Sequence, residues 1–168
     1  MAYLPIIKDQ TERALWSIKN VIYCIPQDMW QEEYCAMPLF KHVYHTLHSL
    51  DQWFINPEQY TEPPFHKPSL NDLNTVTEDV LTREELLCYC DSVCMKIRNY
   101  LNNLTEDDLL AAPEGCPNSR FMLMLAQHRH LNAHLGMLMG FIIAKTGDWP
   151  RVMGAREDYP TEEMPLFY

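Results

Sequence analysis

Gln127-His-Arg-His-Leu-Asn-Ala-His-Leu-Gly136 is the stretch of sequence around which the rest of this chain is organised. It lies inside an apolar pattern with a helical period, and it places His130 and His134 four residues apart. Residues with this spacing lie one turn apart on the same face of a helix. The other residues on that face are Leu123, Gln127, Met137 and Phe141. The sequence therefore predicts that both imidazole rings point into a core.

Two buried imidazoles need a partner that compensates for their removal from water. A shared metal ion is one such partner, because neutral imidazole is the commonest protein ligand for metals and metal-binding helices use this spacing. The alternative is that each ring is a hydrogen-bonded structural residue of the core, and this alternative applies to His128 as well. A third ligand elsewhere in the chain would favour the metal.

Length and composition are those of one globular domain spanning residues 1–168. Hydrophobic residues make up 47% and charged residues 21%, which excludes a largely disordered chain. The net charge is −10 and no cluster of lysine and arginine occurs, so nucleic acid is not an expected partner. No apolar run approaches the ~18 residues of a membrane span, and residues 1–9 lack the features of a signal peptide. We expect a cytoplasmic protein without a membrane partner, in which the six cysteines are reduced packing residues.

Apolar residues at spacings of three and four predict four long helices. Their expected ranges are about 9–23, 38–54, 82–103 and 118–145. Thr82 and Glu85 form a predicted capping box, and Gly147 is expected to end the last helix. Gly136 and Gly140 would allow another helix or a subunit to approach closely. No convincing strand pattern is present, so the fold class is all-α, a four-helix bundle.

Two segments lie outside the predicted helices. Residues 57–81 form a proline-rich connection between helices 2 and 3 that is too long for a simple turn. We expect either a lid or rim over the bundle or a plain crossover along its length. Residues 148–168 contain Trp149-Pro, Tyr159-Pro and Met164-Pro, and they predict an extended C-terminal tail.

The second helix contains three histidines, His42, His45 and His48, each three residues from the next. Any two neighbours could share a face, and the sequence alone does not choose between them. By helical phase, a stripe of polar residues lies away from the strongest apolar line; its members are Lys41, His45, His48 and Gln52. One interpretation is a polar surface stripe, which would leave the metal site without a third ligand.

Two segments resemble the signatures of the DinB/YfiT-like family. His45-Thr-Leu-His-Ser-Leu-Asp-Gln-Trp53 resembles the signature of its second helix, a histidine followed by an acid six residues later and an aromatic residue eight later. Arg129-His-Leu-Asn-Ala-His-Leu-Gly136 resembles the signature of its last helix, HxxxH followed by glycine. The two occur in the family's order, and the resemblance extends from the second helix to Gly147.

The resemblance implies a bundle with up-down-down-up connectivity that holds one divalent metal ion. Carried over residue by residue, the implied ligands are His45, His130 and His134. Members of the family include transferases and isomerases that use a low-molecular-weight thiol, and homodimers are expected. The sequence leaves the identity of the metal open, because histidine ligands accept zinc, nickel, iron or copper. The implied partner is a small-molecule substrate.

The sequence leaves two main functional hypotheses and a weaker third, an interaction protein that dimerises through the face of Gly136 and Gly140 and whose histidines are vestigial. The first is a metal-dependent enzyme that activates a thiol or water for transfer to, or hydrolysis of, a small molecule. The second is a non-catalytic bundle in which a metal or small ligand has a structural or sensing role. Candidates for acid or base catalysis are Tyr44, His48 and Asp51, although an exposed helical position is the favoured interpretation for Asp51.

Overall fold

Four long helices make up half of this chain. The computed structural model describes residues 2–158 and 166–168. The helices are α1 (Leu4–Cys24), α2 (Leu39–Trp53), α3 (Arg83–Asn103) and α4 (Arg120–Thr146). Short 3-10 turns occur at Gln27–Met29, Pro57–Gln59 and Asp107–Leu110. The prediction of an all-α helical bundle is confirmed.

The helices pack so that α3 and α4 each lie against both α1 and α2. Apolar side chains from all four helices meet in one buried cluster. Fully or almost fully buried members include Leu15, Ile18, Leu47, Leu86, Leu131 and Ile142. This core holds α2 next to α4, and it therefore brings the two histidine-containing helices together.

Local sequence signals account for most helix ends. The hydroxyl of Thr82 accepts a hydrogen bond from the Glu85 amide and the Glu85 carboxylate accepts one from Thr82, which confirms the capping box. At the end of α4, Gly147 has a φ of 80°, the left-handed conformation expected of a glycine that ends a helix. α1 begins at Leu4, earlier than predicted, because Pro5 is tolerated in the first turn, where its missing N–H is not needed.

A short antiparallel ribbon joins α1 to α2, where the sequence showed no strand pattern. Its strands are β1 (Glu33–Tyr34) and β2 (Met37–Pro38). The turn between them places Cys35 and Ala36 at positive φ. Strands of two residues are too short to show an alternating pattern, which is why the sequence did not reveal them.

The two glycines of α4 do not mark a helix contact within the chain. A Cβ atom built on Gly136 or Gly140 would meet no atom within 4 Å among the described residues. The expectation that they let another helix of the chain approach closely is therefore wrong. Approach by a second subunit stays a prediction.

The described part of the C-terminal tail returns to the bundle as a strap. The Arg151 amide donates to the Leu166 carbonyl at 2.8 Å, and the Tyr168 amide donates to the Trp149 carbonyl at 3.0 Å. The side-chain amide of Asn20 on α1 donates to the backbone carbonyls of Arg151 and Leu166, each at 2.8 Å. The predicted Tyr159-Pro and Met164-Pro segments lie outside the described residues. Within the described ranges, no helix combines the length and apolar character needed to cross a membrane.

Candidate metal centre

Three histidines from two helices converge at the contact between α2 and α4. One ring nitrogen from each of His45, His130 and His134 lies within 4.8 Å of the other two. The Nε2 atoms of His130 and His134 are 3.1 Å apart. The His45 ring centre lies 5.3 Å from that of His130 and 4.7 Å from that of His134. This group, which we call the three-histidine group, could hold a metal ion.

The spacing of the nitrogen atoms fits a first-row divalent metal. Zinc binds histidine nitrogen at about 2.0–2.1 Å, so two ligands of a tetrahedral site lie about 3.3 Å apart. Two ligands at right angles in an octahedral site lie about 2.9 Å apart at the same bond length. The observed distance of 3.1 Å between His130 and His134 falls between these values. The pair is therefore spaced for shared coordination.

His45 is oriented by the connection between α2 and α3. Its Nδ1 lies 2.7 Å from the backbone carbonyl oxygen of Asn71, which can only accept a hydrogen bond. Nδ1 therefore carries the proton, and the lone pair of Nε2 is available to a metal. Metal-binding histidines commonly donate their second ring N–H to a carbonyl in this way.

The rings of His130 and His134 are held in the neutral form that metal binding requires. Burial, together with the charges of His130 and His45, lowers the pKa of His134 to about 4. Burial, and then the charge of His45, also lowers the pKa of His130. The Nδ1 atoms of both rings are buried and have no hydrogen-bond partner among the described residues. The only hydrogen bond of the pair among the described residues is therefore the one between the two Nε2 atoms. A cation bound there would instead accept a lone pair from each ring.

Each of the three histidines is half-buried rather than enclosed. Three neutral ligands leave at least one coordination position of a tetrahedral or octahedral metal open. An open coordination position is compatible with exchange at the metal as well as with structural binding.

Two other histidines have structural hydrogen bonds instead. His42 is buried, and its Nε2 lies 2.6 Å from the Tyr34 carbonyl oxygen. His128 is half-buried, and its Nε2 lies 3.0 Å from the hydroxyl of Thr11. Burial lowers the pKa of both rings. His42 and His128 are therefore hydrogen-bonded structural histidines. Among the histidines of α2, His45 is the one that lies close to His130 and His134.

Two of the four residues in the polar stripe of α2 are buried and the other two are half-buried, although one interpretation of the helical phase was a stripe facing solvent. Lys41 and His48 are 0% and 2% exposed. The reason is the connection between α2 and α3, which packs against this face. Lys41 donates to the Thr75 carbonyl, and the Asn71 side-chain amide lies 3.4 Å from His48 Nδ1. Periodicity within a helix cannot reveal a cover supplied by an irregular segment.

The other candidates for acid or base chemistry are also engaged away from the three-histidine group. The buried Tyr44 hydroxyl lies 2.7 Å from His66 Nδ1. Asp51 accepts hydrogen bonds from the Tyr89 hydroxyl at 2.9 Å and from Lys96 at 2.5 Å. The interpretation of Asp51 as an exposed helical residue is wrong, because only 8% of it is exposed.

A second group of possible ligands lies beside the first and was missed from the sequence. His48, Glu62 and His66 place one ligand atom each within 4.8 Å of one another, and this group too could hold a metal ion. Nε2 of His48 lies 2.7 Å from Oε2 of Glu62, and Nδ1 of His66 lies 3.6 Å from the same oxygen. The only sequence signal was a histidine in a long proline-rich connection. We call this set the loop group.

Comparisons with protein families, with curated proteins and with solved structures find no match to this chain.

Proposed function

We propose that this chain is a metal-dependent enzyme related to the DinB/YfiT-like family, in which His45, His130 and His134 hold one divalent metal ion. The observation that carries the proposal is the convergence of the three histidine nitrogens within 4.8 Å of one another. The two sequence signatures, on α2 and α4, contain the same three histidines. The identity of the metal within the set zinc, nickel and iron depends on availability as much as on the ligands.

The proposal includes the up-down-down-up connectivity of that family. Its support is the packing of α3 and α4 between α1 and α2, together with the long segment 54–82 that separates α2 from α3. α2 has 15 residues and is therefore about 22 Å long. A connection of this length can run back along α2, so that α3 begins at the end of the bundle where α2 begins.

A divalent ion in such a site supplies a Lewis acid that lowers the pKa of a bound thiol or water and so makes it a nucleophile at neutral pH. The protein holds His45 in the required tautomer through the Asn71 carbonyl. It keeps His130 and His134 neutral by burial. The three residues are half-buried, and the proposal requires that a small electrophilic substrate approach the group from solvent. We propose transfer to, or hydrolysis of, a small molecule as the reaction.

The chemistry of the three acid and base candidates differs. Burial raises the pKa of Tyr44, so its phenol remains protonated and can donate a proton or a hydrogen bond but not act as a base. Asp51 uses both carboxylate oxygens for Tyr89 and Lys96. His48 Nδ1 lies 3.4 Å from the side-chain amide of Asn71, the residue whose backbone carbonyl accepts the hydrogen bond of His45.

The test of the proposal is whether a metal in this site accepts an external thiol. We would load the protein with Co²⁺, record the absorption spectrum and add a small thiol. The proposal predicts a new sulfur-to-cobalt charge-transfer band that is absent in His134→Ala and retained in His128→Ala, the matched control on the same helix. A cobalt spectrum that depends on His134 but does not respond to thiol, azide or pH would instead support the structural or sensing role.

A further inference from the structure

The loop group joins a helix to the connection that covers it. His48 lies on α2, whereas Glu62 and His66 come from the connection between α2 and α3. His48 is 2% exposed, so its ring is fixed within the fold, and its Nε2 points at the Glu62 carboxylate 2.7 Å away. The side chain of Glu62 is 45% exposed. The group is therefore built on a rigid buried ring and opens to solvent at the carboxylate.

The donor set has the chemistry of a transition-metal site. Two imidazoles and one carboxylate are the ligands of many catalytic zinc sites and of non-haem iron sites. With neutral imidazoles the group carries the single negative charge of Glu62, in a protein of net charge −10. Both the ligands and the local charge favour a divalent cation.

We propose that His48, Glu62 and His66 form a second binding site for a divalent transition-metal ion, separate from the three-histidine group. The ion would fasten residues 62–66 of the connection to α2. The inference stands on the loop group alone and does not require that the three-histidine group binds metal.

Metal binding would replace existing hydrogen bonds with stronger contacts. The bond between His48 Nε2 and Glu62 and the bond between Tyr44 and His66 Nδ1 would be exchanged for bonds to the ion. When Nε2 of His48 binds a metal, its Nδ1 carries the proton. The Asn71 side chain lies 3.4 Å from this Nδ1, and rotation of its amide by 180° presents the oxygen as an acceptor. After that rotation, Asn71 accepts the hydrogen bond from the protonated Nδ1 of His48.

The experiment isolates the second site by removing the first. Metal-stripped, tag-free His130→Ala/His134→Ala protein would be titrated with Zn²⁺ and, separately, with Co²⁺, by calorimetry and absorption. We expect one equivalent of metal to bind. Adding Glu62→Gln should weaken this binding at least tenfold, and adding His66→Ala should do the same. His128→Ala in the same background is the matched control and should leave the affinity unchanged.

The variants avoid the buried His48, whose removal could unfold the protein. Glu62 is exposed and His66 is half-buried, and circular dichroism would verify that each variant retains its helices. Absence of binding in the folded His130→Ala/His134→Ala protein would overturn the proposal, and so would binding that Glu62→Gln leaves unchanged. A third outcome is that the parent protein binds one equivalent of metal, that Glu62→Gln loses it and that the His130→Ala/His134→Ala variant retains it. This outcome would refute the three-histidine site but support the second site.

A second measurement tests whether the bound ion fastens the connection to α2. Hydrogen exchange of residues 57–81 in the His130→Ala/His134→Ala protein should slow when Zn²⁺ is added, because the ion joins the connection to α2. The same segment should show no zinc-dependent protection after Glu62→Gln. Exchange in residues 57–81 that does not respond to zinc under saturating conditions would contradict the proposed fastening.

Discussion

Replacing Asp51 with alanine distinguishes a structural carboxylate from a catalytic one. Asp51 lies about one and two-thirds turns beyond His45 on α2, but its oxygens bind the Tyr89 hydroxyl and the Lys96 ammonium group of α3. These contacts join α2 to α3 at a buried position, since Asp51 is 8% and Tyr89 6% exposed. We therefore expect Asp51→Ala to destabilise the protein without removing metal from the three-histidine group.

The magnitude follows from the two contacts. Loss of the acceptor for the buried Tyr89 hydroxyl costs about 1–3 kcal/mol. The Lys96 side chain is 46% exposed, so solvent screens the ion pair and its loss adds at most about 1 kcal/mol. The expected total is about 1–4 kcal/mol of the free energy of unfolding. For a domain of this size, that corresponds to a fall in Tm of roughly 2–16 °C.

The assay is urea denaturation of the parent, Asp51→Ala, Tyr89→Phe and the double variant, with metal content measured in parallel. A double-mutant cycle isolates the bond between the two side chains. We expect a coupling energy of at least about 1 kcal/mol, because hydrogen bonds to charged groups contribute about 1.5–3 kcal/mol. Near-zero coupling would refute the structural role of the bond between Asp51 and Tyr89. Loss of metal from folded Asp51→Ala protein would refute the separation of Asp51 from the three-histidine group.

Three further predictions test other parts of the account. In metal-free protein the pKa of His134 is about 4, below its ordinary value of 6.5, so between these values the unfolded chain binds a proton that the folded chain does not. The free energy of unfolding should therefore fall as the pH drops from about 6.5 towards 4. Thermal melts in chelator at pH 7 and pH 5 should show this fall, and His134→Asn should reduce it; an equal fall in both proteins would assign it to other groups. Thr82→Ala, which removes the capping box of α3, should cost about 1 kcal/mol in urea denaturation, and an unchanged midpoint would mean that the cap does not stabilise the fold. Gly147→Ala, at a φ of 80°, should cost about 1–2 kcal/mol in the same assay, and a stabilised variant would contradict the left-handed ending of α4.

The elements that were predicted well are those whose cause is local. Apolar periodicity and the capping signals at Thr82 and Gly147 lie within a few residues of the structure they produce, so four helices could be placed from the sequence. The pairing of His130 with His134 is equally local, because helical geometry alone brings residues four apart to one face. The choice of His45 came from the resemblance, since helical phase did not separate it from its neighbours.

The parts that could not be predicted depend on the long connection. Residues 57–81 have no period, and nothing in their sequence tells which face of the bundle they cover. Burial of the polar face of α2, including His48 and Asp51, results from contacts between segments distant in the chain. The loop group requires a buried helical histidine to meet Glu62 and His66, and such a meeting is a property of the tertiary fold.

The central claim is that three histidines bind one metal ion, and the most direct measurement is the elemental analysis of tag-free protein saturated with Zn²⁺ and freed of unbound metal. To remove the loop group from the count, the measurement uses Glu62→Gln as the parent background. The account predicts about one equivalent of zinc, lost in His45→Ala and in His130→Ala and retained in His128→Ala. No bound metal in the folded background protein, or retention of the full equivalent by His45→Ala, would contradict the three-histidine site.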